Sequence, residues 1–127
     1  MIEEAATETN DLQRISRLGL DEFERVTLQI IRQFLVAHET PESQAWHRAF
    51  LIAIEQWGEP LGLAAAHLVS KYVKAVLRFR AHGITFSDPL DLNARDLATE
   101  DESLMIAVLH YMRRDHTSYA RDAVSVL

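Results

Sequence analysis

The stretch Pro60–His82, PLGLAAAHLVSKYVKAVLRFRAH, decides the fold. At about 100° per residue, His67, Lys71, Lys74, Arg78 and His82 fall on one narrow stripe of a helix. Leu61, Leu63, Leu68, Val69, Tyr72, Val73, Val76, Leu77 and Phe79 cover most of the remaining circumference. A helix this apolar needs protein on several sides, so the sequence predicts an all-α fold. The expected architecture is an irregular bundle of five or six helices around a central apolar helix, about 60–82. Gly62, Ala64, Ala65 and Ala66 predict a close helix contact near its start. Arg78, Arg80 and His82 suit the C-terminal end of the helix dipole, and Gly83 suits a left-handed cap.

Working outward, Thr40-Pro41 reads as a hydroxyl cap with proline at the first helical position, opening a helix that ends at Trp57 before Gly58. Its Trp46, Phe50, Ala53 and Trp57 form an aromatic stripe, with Ala49 between them. Arg48, His47, Glu55 and Gln56 are nearly its only polar interruptions. Two helices so apolar cannot both occupy the centre of one short bundle. The sequence therefore predicts a homodimer anchored on Trp46, Phe50, Ala53 and Trp57. Upstream, Asp21 and Glu24 have the spacing of a capping box for a helix to about His38. Phe23, Val26, Thr27, Ile30, Ile31, Phe34 and Leu35 are its expected buried face, and Arg25, Gln29, Arg32 and Gln33 its expected wet one.

The flanks complete a single helical domain over 11–127, preceded by an acidic tail at 1–10. Asp11 is expected to cap a short helix carrying Leu12, Ile15 and Leu18, stopped at Gly19. Residues 84–98 lack periodicity and are expected to pack as a flap through Ile84, Phe86, Leu90, Leu92 and Leu97. Thr99-Glu100-Asp101-Glu102 is a second capping box, opening a helix through Met112. Asp115 is expected to cap a final helix bearing Tyr119, Ala120, Val124 and Leu127.

Bulk properties narrow the function. The 127 residues are 48% hydrophobic and 25% charged, with no cysteine, which excludes disulfides, zinc–thiolate sites and thiol catalysis. Charged residues interrupt every apolar run before it reaches the length of a membrane span, and the acidic start is unlike a secretory signal, so the reading is a cytoplasmic protein without membrane contact. The net charge of −6 weighs against nucleic-acid binding. Charge is nonetheless segregated: acids crowd residues 1–24 and 88–102, while 60–82 holds four bases (Lys71, Lys74, Arg78, Arg80) and no acid. His67, Lys71, Lys74 and Arg78 are thus a candidate stripe for an anion or an acidic partner.

No motif fixes a chemistry. The six histidines include no i,i+3 or i,i+4 ligand pair, no serine sits in a nucleophile elbow, and glycine is too sparse for a phosphate loop. No cofactor or metal is expected. The function expected is that of a non-enzymatic interaction or regulatory module acting as a homodimer. The alternative is a small-ligand or metal-dependent catalytic bundle using His38 and His47 with the nearby carboxylates Glu39 and Glu42.

Overall fold

A computed structural model describes residues 12–80, 82–114 and 116–127. The expected tail at 1–10 and the expected caps Asp11 and Asp115 lie outside the described residues. The protein is all-α, as expected: five helices among the described residues, α1 (Glu22–Glu39), α2 (Ala45–Trp57), α3 (Glu59–Phe79), α4 (Glu100–Arg113) and α5 (Thr117–Val126). The described residues divide into two compact units, one within 21–84 and one combining 12–20 with residues of 85–127.

In the first unit, α1 starts at the expected capping box. The Glu24 amide donates to Asp21 Oδ1 (2.8 Å), and the Asp21 amide donates back to Glu24 Oε1 (3.1 Å). Between α1 and α2 the chain makes a short 3₁₀ turn, Pro41–Ser43, so α2 starts later than Thr40-Pro41 predicts. Gln44 takes a left-handed conformation there (φ 54°), which breaks the helical path, and α2 begins at Ala45. Only Gly58, at φ 83°, separates α2 from α3.

The α2–α3 contact is built on small side chains. Ala45, Ala49 and Ala53 recur every fourth residue on α2 and are fully buried; Gly62 and Ala66 are buried on α3. A methyl group added at Gly62 would lie 2.6 Å from the Ala53 carbonyl oxygen. The backbones therefore meet at van der Waals distance, and only glycine fits.

Burial corrects the prediction of a central 60–82 helix. The enclosed helix is α1, where Leu28, Ile30, Ile31, Phe34 and Leu35 are buried together with Glu24, Thr27, Arg32 and Gln33. Arg32 and Gln33, expected in water, are inside. Gln33 Oε1 accepts from Arg48 Nε of α2 at 3.1 Å, and among the described residues no buried side-chain nitrogen or oxygen lacks a hydrogen-bond partner. On α3, by contrast, only Gly62, Ala66, Val73 and Val76 are buried.

In the second unit the expected short helix at Asp11 is not formed. Gln13–Arg14 is extended and pairs antiparallel with Leu97–Ala98, Gln13 opposite Ala98, and a 3₁₀ turn follows at Ile15–Arg17. A helix of so few residues cannot offset its nucleation cost, whereas the strand gains an immediate partner. The Ile15 amide extends that pairing to the Asp96 carbonyl (2.9 Å). The capping box of α4 forms as expected, with the Glu102 amide on Thr99 Oγ1 (3.1 Å) and the Thr99 amide on Glu102 Oε1 (2.9 Å). Residues 85–96 hold no helix. Thr99 Oγ1 donates to the Thr85 carbonyl (2.6 Å), Ser87 Oγ donates to the Leu97 carbonyl (2.7 Å), and Asp88 and Asp91 accept from amides two residues on. Leu90 and Leu92, expected to pack as part of a flap, are exposed.

Candidate functional site

The outward side of α3 carries its largest apolar groups. Leu61, Leu68 and Phe79 are 61%, 65% and 87% exposed. Ala75 is also exposed, and Ala65 and Tyr72 are half-buried. Together Leu61, Ala65, Leu68, Tyr72, Ala75 and Phe79 are spaced by alternating steps of four and three residues. That is the spacing of a coiled-coil seam, and it lies about a right angle around the helix from the face of Gly62, Ala66, Val73 and Val76. Burial raises the Tyr72 hydroxyl well above the usual tyrosine range, since its ionised form would lose solvation. The basic stripe runs beside this seam, with His67, Lys71, Lys74 and Arg78 all exposed.

The aromatic stripe of α2 is divided among different surroundings. Ala53 is fully buried against α3, so it is a packing residue of its own chain. Trp57 stacks on Phe23 of α1 with ring centroids 5.0 Å apart. Phe50 meets Phe34 of α1 edge-on at 5.9 Å and Trp46 at 6.4 Å. Trp46 is half exposed. Of the four expected interface anchors, Trp46 therefore offers the most to solvent, and the others serve largely to fasten α2 to its neighbours.

The structure also brings together residues that sequence reasoning held in separate groups. A cavity of about 350 Å³ opens among α1, α2 and α3. Phe34, Phe50, Val73 and Leu77 supply apolar walls; Trp46, Ala37 and Ser70 lie along it; His38 and Lys74 supply its ionisable groups. His38 comes from the metal alternative, Lys74 from the basic stripe, and Trp46 and Phe50 from the aromatic stripe. Their convergence depends on the rotation of three helices about their axes, which spacing within each helix does not give. His47 is exposed beside Trp46, ring centroids 5.6 Å apart, and does not line the cavity. Among the described residues no group of three or more His, Asp or Glu side chains is placed to hold a metal ion.

In the second unit, a ring cluster joins the end of α4 to the start of α5. His116 stacks on Tyr119 (5.6 Å, 26°), and Tyr111 packs against both Tyr119 (5.4 Å) and His110 (5.3 Å). A small cavity of about 160 Å³ lies by His110, Tyr111, Ile106 and Leu18. His110 and His116 are six residues apart in the sequence. The His116 amide donates to the Tyr111 carbonyl at 2.8 Å, and both histidine rings pack near the Tyr111 ring.

Among the described residues no helix is long and apolar enough to cross a membrane. The chain matches no family model, and no curated protein or solved structure is similar enough to support a comparison.

Proposed function

We propose that this chain is a cytoplasmic, non-enzymatic interaction module that works as a homodimer, pairing through the outward face of α3. The observation carrying the proposal is the seam Leu61–Ala65–Leu68–Tyr72–Ala75–Phe79, whose Leu61, Leu68, Ala75 and Phe79 are exposed. Large apolar groups in register along more than four turns are costly to leave in water and are characteristic of a subunit contact.

A second copy is the partner that fits the pattern best. The seam is symmetric about its midpoint at residue 70. Antiparallel pairing about a two-fold axis sets Leu61 against the second copy's Phe79, Ala65 against Ala75 and Leu68 against Tyr72. Large meets large at the ends and at the centre, and the small Ala65–Ala75 pairs lie between them. The same pairing brings the two copies of Lys71 to neighbouring flank positions. That like-charge contact opposes association weakly and is screened by salt. With the basic stripe confined to one narrow edge and the net charge negative, a nucleic acid is not the partner proposed.

Sedimentation equilibrium at micromolar concentration tests the reading. The expected result is a dimer that tightens between ~50 mM and ~500 mM salt and becomes a folded monomer on Leu68→Glu. A wild-type monomer at ~100 μM would refute the proposal, and a dimer untouched by Leu68→Glu would place the contact elsewhere.

A further inference from the structure

We propose that the cavity among α1, α2 and α3 is a binding site for a small amphipathic carboxylate, an acyl or aryl-alkyl chain ending in a carboxylate. The site lies on a different side of α3 from the seam, so it is a second functional surface and does not rest on the dimer. Its walls are hydrocarbon and aromatic: Phe34 from α1, Phe50 from α2, Val73 and Leu77 from α3. A pocket of this composition favours an apolar body, and few polar groups orient the ligand. Each of those polar groups can donate a hydrogen bond. Lys74 brings an ammonium and Ser70 a hydroxyl, four residues apart on α3, and His38 brings an imidazole ring able to donate a hydrogen bond from the last turn of α1. No Asp or Glu lines the cavity to receive a cation. Donors without an acidic acceptor, beside apolar walls, match a ligand that is hydrocarbon at one end and anionic at the other.

Size narrows the class further. At roughly 30 Å³ per water-sized group, about 350 Å³ holds about a dozen non-hydrogen atoms. That suits a medium-chain carboxylate; a long-chain fatty acid would leave much of its tail outside. Lys74 is exposed, so its charge acts through a partly solvated contact and tunes selectivity more than it supplies affinity.

Decanoate, 1-decanol and decyltrimethylammonium share one tail and differ only in the head group, and titrating all three reads the site directly. Trp46 on the cavity is the fluorescent reporter in a Trp57→Phe background, with calorimetry as a check. Decanoate is expected to bind saturably with a dissociation constant below about 1 mM, more tightly than the alcohol and more tightly still than the ammonium. Lys74→Met should weaken decanoate about fivefold and leave decanol unchanged. Ala37→Leu, which fills the cavity from α1, should weaken both at least tenfold, with circular dichroism confirming that the variants fold. Leu68→Glu should leave decanoate binding as it is, which separates this site from the dimer contact. Absence of saturable decanoate binding, equal binding of all three head groups, or insensitivity to both Lys74→Met and Ala37→Leu would overturn the proposal.

Discussion

Gly62 and Ala66 on one side of α3 and Leu61 and Leu68 on the other are neighbours in sequence, yet they meet opposite fates. The small pair is buried against α2, where the Ala53 carbonyl comes within reach of a methyl group at Gly62. The large pair points outward and is more than half exposed. Counting apolar residues treats the two faces alike and makes α3 look like a helix wrapped all round. Size separates them. Small residues let the chain's own backbone approach, and a helix that is tightly packed on that side cannot also turn its large residues inward. The large face is left for something else to cover.

The strongest way to break this contrast is at Gly62. Helix propensity alone says that Gly62→Ala should stabilise α3 by ~1 kcal/mol. The contact with Ala53 says the opposite, because the added methyl meets backbone that cannot move aside cheaply. Overpacking of this kind costs ~1–3 kcal/mol, and urea unfolding is expected to show net destabilisation of about 2 kcal/mol. A neutral or stabilised variant would mean that α2 and α3 lie further apart than described.

A paired truncation sharpens the same point at lower energy. Val73→Ala empties a buried position and should cost ~1.5–2 kcal/mol. Leu68→Ala removes a larger but exposed side chain. Measured at dilution where the protein is monomeric, it should change stability by no more than ~0.5 kcal/mol. Equal costs would erase the distinction between the faces.

The smallest expected effect concerns Tyr72, at the boundary between them. Burial disfavours its ionised form in the folded state. Below the unfolded-chain value of about 10, both states keep the proton and the contribution to stability is fully present. As pH rises past ~10 the unfolded chain ionises first, so stability falls with increasing pH. Tyr72→Phe should flatten that alkaline slope in urea titrations, and an unchanged slope would place Tyr72 in water.

Much of the local structure was legible because it rests on short-range chemistry. Asp21 with Glu24 and Thr99 with Glu102 announce their helices through three-residue spacings that the hydrogen bonds then satisfy. The all-α class follows from apolar periodicity. What escaped depends on longer range. Arg32 and Gln33 look like water-facing residues until Arg48, fifteen residues beyond Gln33, supplies a partner on another helix. Gln44 breaks the expected start of α2 by adopting a conformation that no propensity assigns to it. The cavity needs His38, Phe50 and Lys74 from three helices, and each was noticed for a different reason.

The most direct test of the outward face of α3 is a cross-link between copies, made easy by the absence of native cysteine. Ala65→Cys and Ala75→Cys are small changes at half-buried and exposed positions of the seam. A short bis-maleimide added to an equimolar mixture of the two variants is expected to join position 65 of one copy to position 75 of the other, well ahead of either like-with-like product. Equal yields of all three products, or no cross-linked dimer at a concentration of ~100 μM, would contradict it.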